Sequence, residues 1–305
     1  MKRFVVLAVA MLLSCAAAFA QSQKLIEKQF ESFNTIKVED KFIVKLIHAD
    51  SFSVRIVSDE RISAHVQAYV KNGILYLVLD EKGYPSELKK ALRKKGEAKP
   101  VLEAEVYAPH FNSLILNGKA LLTHCDEFNV NSFNLTVSGD AKVQQLNVVC
   151  ENADLAISKS ATVIGRFEIA NKLHLATSNS SQVTLTQNGG DMVCDLNGSS
   201  LVDARTTVQH LQINANGSAE SHFSGNASYI TVQASGLSRT NTELLESPKG
   251  AVTQTGTSKC YVNVTDKLIV NLVGGSMLTF KNFPSIEVER IYNSTLIKSD
   301  DPKRK

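Results

Sequence analysis

Residues 135–143 read LTVSGDAKV, and the chain then restates the phrase: LAISKSATV at 155–163, LATSNSSQV at 175–183, CDLNGSSLV at 194–202 and INANGSAES at 213–221. Outward from these, ten phrases run from Leu114 to Leu296. Their centres are Gly118, Gly139, Lys159, Asn179, Gly198, Gly217, Gly236, Gly256, Gly274 and Tyr292, spaced 18 to 21 residues apart. Four positions before each centre the residue is apolar, from Leu114, Leu135 and Leu155 through Cys194 and Ile213 to Val270 and Val288. Two positions after it every residue is Ala or Ser, from Ala120, Ala141, Ala161 and Ser181 to Ser276 and Ser294.

A period near 20 residues is too short for paired-helix repeats and suits one turn of a strand solenoid. Within a phrase the apolar residues fall two apart, as Leu135, Val137 and then Val143, which is strand periodicity. In a parallel coil of strands, residues at equal offsets stack into columns about 4.8 Å apart. The Ala/Ser column must then face a tight place. Seven centres are Gly, so the centre reads as a bend between strands. Asn, Ser or Thr precedes eight of the ten centres, for example Asn117, Ser138, Asn197 and Asn216. Such short side chains bond a turning backbone and one another from coil to coil. Leucine-rich repeats share the period but need Leu at several fixed sites. The expected fold is therefore all-β, a three-sided parallel β-helix of about ten regular rungs, with a less regular N-terminal strand region.

The remainder of the chain is read around that coil. Lys2 and Arg3, an apolar run from Phe4 to Leu13 and then Ala18, Phe19, Ala20 and Gln21 predict a signal peptide over 1–20. The apolar run is too short to span a bilayer. A second reading takes Leu12, Leu13, Ser14 and Cys15 as a bacterial lipoprotein box with Cys15 lipidated. Cleavage after Ala20 removes two of 33 basic residues and no acid, leaving 31 against 30 over 285 residues. So balanced a charge gives no pull toward nucleic acid. The mature chain has no transmembrane span.

Residues 21–110 are expected to form the N-terminal strand and cap region. Phe42, Val44 and Leu46 alternate with Ile43, Lys45 and Ile47, and Asn72-Gly73 between Val70 and Ile74 predicts a type I′ hairpin. A basic helical insert is predicted over 84–100, starting at Pro85, Ser86 and Glu87, leaning on Leu88 and Leu92 and ending at Gly96. Its other face carries Lys89, Lys90, Arg93, Lys94 and Lys95. The plain reading is a solvated excursion; the sharper one is a docking patch for anionic glycan, lipopolysaccharide or headgroups. Residues 111–297 are the β-helix repeats, and 298–305 a loose charged tail.

Catalytic chemistry has little to stand on. Strand coils host polysaccharide lyases and hydrolases, whose carboxylates must lie within about 5 to 10 Å of one another. The column just after the centre holds one acid, Asp140, and the column three after it holds one, Glu220. Asp191, Asp195 and Asp203 share a turn of the coil but read as turn and surface residues. His48, His65, His110, His124, His174, His210 and His222 show no paired spacing for a metal. No phosphate loop, dinucleotide fingerprint or nucleophile motif appears, so neither cofactor nor metal is expected. Cys194 and Cys260 are three rungs apart, too far to bridge. Cys125 and Cys150 lie on adjacent rungs, where an oxidising compartment leaves a disulfide open, and buried free thiols are the expectation.

With coil and export in place, the chain resembles the auto-transporter adhesin family defined by a head GIN domain. The resemblance rests on Phe33 to Leu46, on Asn72, Gly73, Ile74 and Leu75, on Val106, Pro109 and Leu114, and on serial phrases such as Leu135 to Val143. It covers roughly residues 30 to 297, and the basic insert at 84–100 departs from it. It implies a right-handed β-helix and a surface or periplasmic role in a Gram-negative bacterium, and it carries over no catalytic residue. The expected function is a non-catalytic envelope protein that binds glycan or a cell-surface protein. A divergent carbohydrate-active enzyme is the alternative.

Overall fold

The computed structural model describes residues 22–94 and 99–299. The predicted signal peptide with Cys15, together with Lys95, Gly96 and the end of the tail, lies outside the described residues. From Ser113 onward the chain winds as a parallel β-solenoid in which each phrase lies on the one before. Leu114, Leu135, Leu155, Leu175, Cys194, Ile213, Val232, Val252, Val270 and Val288 are in direct register, each paired with the next. All but Val288 are essentially inaccessible to solvent. The small column superposes too. Lys142, Thr162, Gln182, Leu201 and Glu220 each donate their N–H to the carbonyl of the Ala or Ser one coil below, at 2.8 to 3.1 Å. Ala141, Ala161 and Ser181 are 0% exposed, which explains why nothing larger than a hydroxymethyl group occurs there.

The centres are the bends the sequence predicts. Nine of them, Gly118 to Gly274, have φ between +62° and +86°, and the two that are not Gly, Lys159 and Asn179, adopt it as well. The left-handed region is Gly's by sterics and Asn's by local hydrogen bonding. In the column before the centre, Asn216 Nδ2 donates to Asn197 Oδ1 at 3.3 Å and Ser235 Oγ to Asn216 Oδ1 at 2.5 Å, a ladder from coil to coil.

The tenth centre is corrected by the structure. Glu289 is an extra residue in the strand Ser285–Tyr292, so Val270 faces Val288 but Asn271 faces Arg290. The bend consequently falls on Asn293, with φ +49°, and not on Tyr292. Ser294 still meets Ser276, Oγ to Oγ, at 3.1 Å. Where the strands break varies from coil to coil. In the early coils inward residues step by three at a corner, Leu122 to Cys125 and Val143 to Leu146, and the strand breaks. From Thr162 the inward row Val163, Gly165, Phe167 and Ile169 keeps period two and the strand runs unbroken to Thr177, while the next coil divides into Gln182–Asn188 and Asp191–Leu196.

The N-terminal region supplies two further coils, in an order the chain does not follow. The elements are β1 (Gln23–Phe30), β2 (Thr35–Val38), β3 (Ile43–His48), β4 (Phe52–Asp59), β5 (Val66–Lys71), β6 (Ile74–Leu79), α1 (Ser86–Arg93), β7 (Leu102–Ala108), β8 (Ser113–Leu116) and β9 (Leu121–Cys125). β2 and β3 form a coil that bends at Asp40, φ +67°. It lies between β8–β9 above and β6–β7 below, all parallel. The chain thus lays one coil, doubles back to place another beneath it, and then steps over the first. β4 runs antiparallel to β7 with β1 antiparallel outside it, and β5 runs antiparallel to β6, so that together they cap that end. The β5–β6 hairpin turns at Asn72 and Gly73, both at positive φ, as predicted. Cys125, Cys150, Cys194 and Cys260 are buried and unpaired. Burial pushes the Cys125 thiol up to about 12 and that of Cys150 to about 11.

Candidate functional site

An outward face of the coil, on the strand run before the bend, carries the densest polar network found there. Asp154 and His174 stand five residues before their centres, and Asp195 and Asn214 three before theirs, on successive coils. His174 Nδ1 lies 3.2 Å from Asp154 Oδ1 and Nε2 lies 2.8 Å from Asp195 Oδ2. An imidazole set between two carboxylates donates to both only when it carries two protons. Asn214 Nδ2 donates to Asp195 Oδ1 at 2.7 Å, and Gln212 Nε2 to Asn214 Oδ1 at 3.4 Å. Partial burial pushes the Asp195 carboxyl up, but the bonds from Asn214 and His174 outweigh it and leave the group below its ordinary value.

These side chains border a shallow depression of about 420 Å³, joined by Asn152 and Lys172. The face continues to His210, whose Nε2 lies 2.9 Å from Thr231 Oγ1 and whose ring sits 5.3 Å from that of Tyr229. Donors and acceptors are therefore held at strand spacing over several coils, with one aromatic ring at the side. A depression of similar size, about 440 Å³, lies at the corner near Val130, Cys150 and Ile169. Its Glu168 is already engaged by Arg166 and Asn188, at 3.1 and 3.0 Å.

The residues singled out in the sequence are placed as follows. On α1, Leu88 and Leu92 pack half-buried against the core, and Lys90, Arg93 and Lys94 are exposed. Lys89 is partly covered and donates to the Lys82 carbonyl at 3.1 Å, and Lys90 lies 3.4 Å from Glu87. Lys95 is outside the described residues. Asp191, Asp195 and Asp203 do not meet: Asp191 accepts the His210 N–H at 3.1 Å, and Asp203 lies on the run after the bend, between Thr184 and His222. Among the described residues no three His, Cys, Asp or Glu gather as metal ligands would, and no helix is long and apolar enough to cross a membrane. The Asp154–His174–Asp195 bridge carries no paired-histidine spacing, because its members are separated by one coil each, 20 and 21 residues. Reading the columns three and five before the centre finds it.

A family model described as "Putative auto-transporter adhesin, head GIN domain" matches residues 32–171 and 166–284. No curated protein matches the chain. Among solved structures, a "putative adhesin" from Parabacteroides merdae is similar at 12% identity and a TM-score of 0.49, over 92% of this chain and 98% of that one. A "putative adhesin" from Parabacteroides distasonis shows 15% identity and a TM-score of 0.49, and a "Putative lipid binding protein" from the same organism 14% and 0.47. Each spans 92% of this chain and 98% of its own. The family model covers most of the chain, which therefore belongs to the head GIN adhesin family.

Proposed function

Because the chain belongs to that family, we propose that it is an exported, non-catalytic adhesin-like protein of a Gram-negative envelope, at the cell surface or in the periplasm, and that it binds glycan. Export rests on the leader ending at Ala20, and the organisation expected from the sequence, signal, cap region, repeats and tail, serves that role. The observation that carries the glycan reading is the hydrogen-bonded run Asp154, His174, Asp195 and Asn214. Sugar hydroxyls donate and accept at once, and a fixed row of carboxylates, amides and imidazole offers both. Tyr229 supplies an apolar ring with a polar tip beside it. Such a row, on a surface that packing already holds rigid, loses little freedom on binding.

Binding is favoured over hydrolysis because Asp195 is unsuited to donate a proton. A glycosidase needs one carboxyl whose proton is held near working pH. Asp195 is shifted the other way. The test is retention of the mature protein on immobilised acidic and neutral polysaccharides, with soluble product assayed alongside. The parent is expected to be retained without releasing oligosaccharide. His174→Ala combined with Asp195→Asn should weaken retention roughly tenfold, the loss of one or two charge-assisted hydrogen bonds. A double variant that binds like the parent removes this face from the proposal, and released oligosaccharide removes the non-catalytic reading.

A further inference from the structure

The two ends of the solenoid are finished differently. The N-terminal end is capped by β4, antiparallel to β7 with β1 outside it, and by β5, whereas among the described residues the strand Ser285–Tyr292 pairs only with Lys267–Val273 and leaves its other edge open. Ile286, Val288 and Ile291 stand over the buried Leu268, Val270 and Leu272, yet are 36%, 52% and 41% exposed. They are the top of the core, and no described residue lies above them. Proteins usually protect such an edge with charge, twist or a bulge. This strand carries Glu287, Glu289 and Arg290 and an extra residue, which at first suggests protection alone.

The arrangement of those charges says more. In an antiparallel pair, residues directly opposite share a face of the sheet. Consider two copies of Ser285–Tyr292 paired about a two-fold axis between Val288 and Glu289. Ile286 then opposes Ile291 of the second copy and Glu287 opposes Arg290 of the second copy, and symmetry makes each pair twice. In a regular strand that register would set inward residues against outward ones, because faces alternate with period two. The extra residue Glu289 shifts the alternation and brings Ile286 and Ile291 to one face, Glu287 and Arg290 to the other. Moving the register by one in one direction opposes Glu287 to Glu289, and in the other sets Val288 against Arg290. Of these three registers only the first sets both opposite charges and apolar residues against each other, and it does so with the strand's own sequence.

We propose that the C-terminal edge is a dimer interface in which two copies of this chain join end to end through antiparallel pairing of Ser285–Tyr292, covering the open core. It is independent of the glycan face. The test is the mass of the mature protein by light scattering or sedimentation equilibrium, with circular dichroism to check folding. The parent is expected to be a dimer. Arg290→Glu faces Glu287 with a like charge at two symmetric places and should weaken the dimer roughly tenfold or more. Glu287→Arg added to Arg290→Glu re-creates both pairs with reversed sign and should restore it. Both positions are solvent-exposed, and the pair Glu287 makes with Lys267 at 2.7 Å is itself exposed and of little weight in stability, so the variants keep the fold. A monomeric parent, a dimer indifferent to Arg290→Glu, or a double variant that stays weakened each overturns the proposal.

Discussion

Replacing Gly217 by Val tests the stacked bend within its unbroken run of glycines, between Gly198 and Gly236. Gly217 has φ +73°, and a Cβ built there would lie 3.0 Å from the Gly198 carbonyl oxygen and 3.4 Å from the Gly198 nitrogen. One coil further on, the same relation repeats, with a Cβ on Gly236 at 2.8 Å from the Gly217 oxygen. The ladder therefore cannot open at one bend without moving the next. Holding a residue with a Cβ in the left-handed region costs about 1–2 kcal/mol, and a β-branched one sits at the upper end. Crowding a close-packed place adds about 1–3 kcal/mol. A total of about 3 kcal/mol follows, or roughly 6–12 °C in melting temperature for a chain of this size. Asn supplies the control, since Asn179 already holds φ +62° in an equivalent bend. Gly217→Asn should lose only about 1 kcal/mol, or roughly 2–4 °C. Thermal melts by circular dichroism of parent, Val and Asn variants measure all three. A Val variant that melts with the parent, or an Asn variant as damaged as Val, refutes the stacked left-handed bend as the reason for glycine.

Two further outcomes follow from charges. Asp59 is held below its ordinary 3.8 by hydrogen bonding to Arg61, the closest contact being 2.6 Å; Asp126, bonded by the His48 N–H, and Asp195 are lowered too. Each contributes stability that is full above 3.8 and is lost as pH falls through the lowered value. Burial raises Asp40, so its protonation acts in the opposite direction, but one group stands against three. Melting temperature should therefore drop between about pH 4 and pH 2, and Asp59→Asn should flatten that slope; an unchanged slope refutes the assignment. On α1, reversing Lys90, Arg93 and Lys94 to Glu leaves Leu88 and Leu92 on the core, so the fold should persist. If the helix docks on anionic glycan or headgroups, vesicle and lipopolysaccharide binding should vanish and the parent's should weaken with salt. Equal binding by parent and variant ends that reading.

How much of this was legible depended on which residues have neighbours above and below. Buried columns restate one requirement in every coil, so Leu155 and Ala161 declare themselves in the sequence. The coil bending at Asp40 has the same geometry but carries Phe42, 0% exposed, where the later coils have Ala or Ser. Beneath it the described chain leaves the coil after Leu79, makes α1 and rejoins it at Leu102, and no described residue between them holds the positive φ of a bend. A search keyed to small residues passes the Phe42 coil by. The stepping of the chain over β2 and β3 is invisible for another reason: local alternation fixes which residues face inward but not which strand lies beside which. The shift from Tyr292 to Asn293 came from one extra residue in an end strand, where the second neighbour that would enforce register is missing.

The candidate site was hidden by the same logic turned outward. Five positions before the centres the chain reads Ser113, Asn134, Asp154, His174, Val193, Gln212 and Thr231, a column with no rule. Packing constrains an inward column through coils on both sides, but an outward side chain can satisfy its polar atoms with water, so stability leaves its identity open. Irregularity there is consequently no sign of unimportance. What marks Asp154, His174, Asp195 and Asn214 is that they bond one another across three steps of the coil, giving up freedom that solvated side chains keep. The fold gains little from ordering exposed groups at 36% to 69% exposure. A preformed row of donors and acceptors gives a ligand much more, because the ordering has been done before it arrives.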